Sequence, residues 1–158
     1  MRSSSATALF LAGLIAAHGC KKESAEENAC GQTNISQNGS TRSHNNAQNC
    51  MNCHRSGGGG KGCFTVAGSV YMMNGTTPAG NGTVKLYTGE NGSGTLRATI
   101  QVDALGNFHT TSGVDFTGGL YPLITPAGGG SGAHMDDPVT TGACNSCHGN
   151  TEDRITLP

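Results

Sequence analysis

Cysteine and histidine fall together twice in this chain, as Cys50-Met51-Asn52-Cys53-His54 and as Cys144-Asn145-Ser146-Cys147-His148. Thiols three positions apart stand on one side of a helical turn, and the imidazole that follows can reach the same centre. This spacing suits covalent attachment of a c-type haem, with two thioethers to the vinyl groups and the His as proximal iron ligand. The same cysteine spacing serves a redox dithiol or half of a zinc site. No βαβ pattern of the thioredoxin kind surrounds either copy. Zinc competes on the cysteine spacing alone, but it does not explain why His follows the second Cys both times. The expected cofactors are therefore two haem c groups, bound through Cys50, Cys53, Cys144 and Cys147 and ligated proximally by His54 and His148.

An iron that only passes electrons takes a sixth ligand, His or Met. With six His in the chain and His18 inside an export segment, His44, His109 and His134 remain for two positions. Five residues separate His44 from Cys50, and that linker spans at most roughly 20 Å. It can wrap tightly round its own haem or cross to the other. Nine residues separate His134 from Cys144, so it reaches the second haem with ease. His109 follows Phe108 in a strand-like stretch, so it is expected to point outward into solvent. Met135 is the alternative distal ligand to His134, and the choice matters because Met raises the reduction potential. Met51 sits on the wrong stretch of chain to face its own iron. Met72 and Met73 end a strand and read as packing or edge residues. The expectation is His at all four axial positions, with His44 and His134 distal.

The N-terminus carries a targeting signal. Arg2 precedes an apolar run from Ala6 to Ala17, too short to span a bilayer as a mature helix. Residues 1–19 are expected to be removed ahead of a lipidated Cys20, in resemblance to bacterial lipoprotein signals, although Ala17 stands where that pattern usually has Leu. A polar tether, Lys21 to Asn28, follows. Lys21 directly after the Cys resembles retention at the outer membrane, facing either the periplasm or the exterior. Of 7 Cys, four are assigned to haem and one to lipid, which leaves Cys30 and Cys63. In an oxidising compartment these are expected to pair. The disulfide would close a loop of about 33 residues, worth roughly 3–4 kcal/mol on a chain-entropy estimate. The alternative is two unpaired or intermolecular thiols.

Composition fits a small exported β protein: 26 Gly, no Trp, 12% charged residues and a net charge of −1, which argues against a nucleic-acid partner. Residues 20–49 read as tether and loop, and 50–62 as the first haem segment. The glycines at 57–60 would serve as a hinge or let backbone pass close to a flat macrocycle. From 63 to 126 the pattern turns to period two. Phe64, Val66, Gly68 and Val70 alternate with Thr65, Ala67, Ser69 and Tyr71, and Leu96, Ala98, Ile100 and Val102 alternate with polar neighbours. Asn74-Gly75, Asn81-Gly82, Asn91-Gly92 and Gly106-Asn107 mark turns between the runs. Short strands so punctuated argue a single antiparallel sandwich. Residues 127–158 return to loop character as the second haem segment.

The stretch 63–126 resembles a carboxypeptidase-regulatory-like domain of the transthyretin-like sandwich type. The likeness rests on Gly68-Ser69-Val70, on Gly80 through Val84-Lys85-Leu86-Tyr87, and on Asp103-Ala104-Leu105-Gly106-Asn107-Phe108. It implies a scaffold without catalytic residues. With the two Cys-His clusters and the signal, the whole chain resembles small dihaem c-type cytochrome lipoproteins of bacterial envelopes. That resemblance implies electron carriage between redox partners of the envelope, with membrane contact through the N-terminal lipid. End-to-end association of copies into a haem chain is a sharper version of this reading.

No nucleophile–base pair, phosphate loop or carboxylate pair stands out, and His109, Asp103 and Asp115 make no triad, so an enzyme is not expected. Two other classes stay open: an adhesion or binding sandwich with haem-based sensing, and a small haem peroxidase. The acidic and basic residues Asp136, Asp137, Glu152, Asp153 and Arg154 are read as a solvated rim.

Overall fold

The computed structural model describes residues 29–158, so the expected signal and Cys20 lie outside the described residues. The fold is mainly β, with two sheets closing over one apolar core. Eight strands are present: β1 (Val66–Met72), β2 (Thr83–Tyr87), β3 (Leu96–Gln101), β4 (Asn107–Thr110), β5 (Tyr121–Thr125), β6 (Ala133–His134), β7 (Gly142–Ala143) and β8 (Ile155–Leu157). One sheet runs β3-β2-β5-β6, all antiparallel. In the other, β1 pairs antiparallel with β4 along one side and parallel with both β7 and β8 along the other.

The alternation read from the sequence decides what faces inward. Val66 and Val70 of β1, Val84 and Leu86 of β2, Ile100 of β3, Phe108 of β4, Ile124 of β5 and Leu157 of β8 are buried together. The turn residues do the work that their types predict. Gly75, Asn81, Asn91, Gly92 and Gly106 all have positive φ, where Gly and Asn fit best.

Three findings differ from the sequence reading. First, the sheets do not stop near residue 126: β6, β7 and β8 all come from the stretch read as loop. Second, the segment 30–49 is more than a tether. Ser36 lies along the free edge of β4, giving its N–H to the His109 carbonyl at 2.9 Å and accepting the His109 N–H on its Oγ at 2.9 Å. A disulfide joins Cys30 to Cys63, with Cα atoms 4.4 Å apart, and fastens this segment to the entry of β1. Third, β1 is buried on both faces from Val66 to Tyr71, not on one.

β7 and β8 lie end to end along β1. β7 pairs with Val66 and Ala67, and β8 with Val70, Tyr71 and Met72. The chain between them, with the turn Cys144–Ser146, fills the gap beside Gly68 and Ser69. The second Cys-His cluster is thus a bulge in an edge strand. The first, with its turn Cys50–Asn52, leads through the glycine run into β1 itself, where Phe64 gives its N–H to the His54 carbonyl at 3.0 Å.

Candidate functional site

Each Cys-His cluster opens on a cavity. The first, of about 630 Å³, is walled by Cys50, Cys53, His54, His44, Phe64 and His109. The second, of about 540 Å³, is walled by Cys144, Cys147, His148, His134 and Met135, and on its inner side by core residues such as Phe108. Both volumes suit a small-molecule or cofactor site.

The two histidines that end the clusters are held alike. His54 gives Nδ1–H to the Lys61 carbonyl at 3.0 Å, and His148 gives Nδ1–H to the Asp153 carbonyl at 2.7 Å. A backbone acceptor at Nδ1 sets the tautomer and turns Nε2 into the nitrogen with the lone pair, the arrangement of a metal-ligating His. The glycine run makes the first bond possible. A Cβ on Gly60 would stand 2.7 Å from His54 Nδ1, and one on Gly58 would overlap the Cys53 carbonyl. Backbone therefore passes flat against the imidazole, where the sequence left a hinge or a macrocycle contact as the reason for glycine. On its other face His54 stacks on Phe64, centroids 4.0 Å apart and planes within 7°.

His44 stands close to His54, with ring centroids 6.1 Å apart and planes inclined by 36°. His134 lines the second cavity but turns Nε2 toward Asp136 Oδ1, 3.3 Å away. Met135 lines the same wall. Met72 and Met73 are exposed.

His109 corrects the reading of an outward, solvent-facing residue. It does leave the core face of β4, but the 30–49 segment covers it. Its ring stacks on Phe64 at 4.5 Å, and its Nε2 meets Asn34 Oδ1 at 3.0 Å. Its pKa falls to about 4, first through burial and then through repulsion from His54 and His44, against a partly compensating attraction from Asp103.

The two clusters are neighbours. Asn145 gives Nδ2–H to the Gln48 carbonyl at 3.0 Å and to Ser69 Oγ at 3.0 Å, and its Oδ1 accepts the Ser69 N–H at 3.1 Å. Ser69 Oγ also accepts the Ala47 N–H and gives its own proton to Asn107 Oδ1. Asn107 in turn donates to Ser43 and Asn46. This buried network ties the approach to the first cluster onto the second through β1 and β4. Nothing in the sequence announced it, because its members are ordinary Ser and Asn.

Burial raises the pKa of the Cys50 thiol and pushes that of Cys144 up to about 12, the latter with smaller contributions from nearby Cys50 and Cys147. A dithiol working by exchange needs the opposite shift, toward thiolate. Among the described residues no three or more of His, Cys, Asp and Glu are grouped to hold a metal ion. Cys50, Cys144 and Cys147 carry free thiols, and Cys53 is in a disulfide. Among the described residues no helix is long and apolar enough to cross a membrane. Comparison with known protein families, with curated proteins and with solved structures finds no match to this chain.

Proposed function

We propose that this chain is a dihaem c-type cytochrome that carries electrons between redox partners of a bacterial cell envelope and performs no substrate chemistry of its own. The observation that carries the reading is the pair His44–His54. One iron could be held between two imidazoles at this separation: a metal–imidazole bond of about 2.0–2.1 Å plus roughly 1.2 Å from nitrogen to ring centre, taken twice, gives about 6.4–6.6 Å between centroids. The rings of His44 and His54 are 6.1 Å apart beside Cys50 and Cys53, with the His54 tautomer already set for ligation through Nε2.

In this reading Cys50 and Cys53 hold the first haem and His54 and His44 its iron. Cys144 and Cys147 hold the second, with His148 proximal and His134 or Met135 distal. Cys53 would hold the group only as a free thiol, so a dithiol reductant would first have to exchange with its disulfide, leaving the Cys53 thiol and taking up the oxidised state itself. The bound group supplies the redox chemistry; the chain supplies attachment, axial ligation and a dry wall. The sandwich, of carboxypeptidase-regulatory-like type, acts as scaffold, and lipid at Cys20 would keep the domain at the outer membrane.

The test is expression with cytochrome-maturation machinery. Intact mass should show two porphyrins, and low-temperature EPR should show two low-spin ferric centres. His44→Ala should convert the first to high spin, and His134→Ala or Met135→Ala should identify the distal ligand of the second. Colourless protein with the mass of bare polypeptide and any lipid refutes the proposal.

A further inference from the structure

Strand β4 serves both cavities. Asn107 and His109 wall the first and Phe108, between them, walls the second. Successive side chains of a strand point to opposite faces of its sheet, so the cavities lie back to back on the two faces of the sheet β4-β1-β7. β1 repeats the pattern: Val66 faces the second cavity, while Ser69, on the other face, bonds the backbone of Ala47 leading to the first cluster. The wall is thinned where the clusters meet it. A Cβ on Gly68 would stand 2.5 Å from Phe108 Cζ and 2.9 Å from Cys144 Cβ, so only glycine lets the second cluster press this close to β1.

In sequence the two haem segments, 50–62 and 127–158, lie on either side of the sandwich stretch, which suggests opposite ends of the fold. Although 94 residues apart along the chain (144 − 50), they are bridged by Asn145, whose amide touches Gln48. Resting on the dihaem reading, we propose that β1 and β4 form a septum one sheet thick across which the two haems exchange electrons directly. Stacked sheets pack roughly 10 Å apart, so one sheet with its side chains is about that thick, and groups seated against its two faces are separated by about that distance at their near edges. Ser69, Asn107 and Asn145 at the junction are buried, uncharged and bonded to one another. Asp103, the carboxylate beside the first cavity, is already fixed by the N–H groups of Leu105 at 2.9 Å and Asn107 at 3.0 Å. A septum built this way has little freedom to reorganise as charge crosses it.

The experiment uses the matured full chain and circular dichroism in the Soret band, which develops a two-signed couplet when haems lie close. The parent should show a couplet, unchanged on dilution, that exceeds the sum of spectra from the single-haem variants C50S/C53S and C144S/C147S. Should those variants fail to fold, ferric EPR of the parent alone gives the same answer through line broadening by spin coupling. Two haems by mass with additive dichroism and unbroadened EPR would overturn the septum and leave the dihaem reading standing. A couplet lost on dilution would assign the coupling to neighbouring copies and also overturn it. Fewer than two haems by mass would sink both.

Discussion

Gly60→Ala tests how the first histidine is held. The new methyl would lie 2.7 Å from His54 Nδ1, 2.8 Å from Cγ and 2.9 Å from Cδ2. The ring cannot retreat, because Phe64 stacks on its far face and His109 stacks behind Phe64. Gly60 has no positive φ, so the cost is steric and not conformational. Overpacking of this kind costs about 1–3 kcal/mol. Displacing Nδ1 from the Lys61 carbonyl adds about 1 kcal/mol, and the stiffer unfolded chain returns about 0.4–1 kcal/mol. The net expectation is a loss of roughly 1–3.6 kcal/mol, read from the urea midpoint at constant slope. Nitrogen-detected NMR should report at the same time that His54 no longer keeps its proton on Nδ1. Gly113→Ala is the control: nothing lies within 4 Å of its added methyl, so its effect should stay within about 0.5 kcal/mol. A Gly60→Ala protein as stable as the parent, with the Nδ1 proton in place, would refute the idea that the glycine run exists to seat this ring.

His109 should make the fold acid-sensitive. Its pKa is about 4 in the fold and near 6.5 in an unfolded chain. The unfolded chain therefore takes the proton first as pH falls. Stability from this residue is whole above about 6.5, declines between there and about 4, and totals on the order of 3 kcal/mol; a His109→Gln protein should lack that acid limb in pH-dependent urea melts. Asn145→Ala strands the Ser69 N–H and the Gln48 carbonyl and should cost roughly 2–4 kcal/mol by the same assay. Replacing Cys30 and Cys63 by Ser opens a closed loop of 33 residues and should cost about 3–4 kcal/mol, with a matching fall in the thermal midpoint.

The parts of the fold legible in the sequence were those with room to repeat. β1, β2 and β3 are five to seven residues long, enough for alternation to declare an inner face. β6 and β7 are two residues each and β8 three, so their pairing is imposed by the backbone of β5 and β1 and leaves no pattern. The same blindness misplaced the second cluster: separation along the chain hid the parallel return to β1 that brings Asn145 beside Gln48. His109 shows a different limit. Alternation correctly sent it away from the core, but it cannot say what covers the other face, and Asn34 and Ser36 supply that cover from a segment without periodicity. The Cys-His clusters were readable because their chemistry is local, whereas the carbonyls of Lys61 and Asp153 that orient the two imidazoles are backbone atoms and leave no trace in residue type.

The piecewise cover on β1 bears on how copies of this protein could join. A sheet edge invites another chain when it offers an uninterrupted row of unpaired amides. β7 and β8 occupy one side of β1, and Ser36 blocks the free side of β4, so the first sheet has no such row among the described residues. In the second sheet β3 is terminal, and its first residues, from an exposed Leu96 past Arg97, lie outside that cover. β3 is the longer of that sheet's two terminal strands, six residues against two in β6, so backbone annealing has its longest template there, with Arg97 as the charge that resists it.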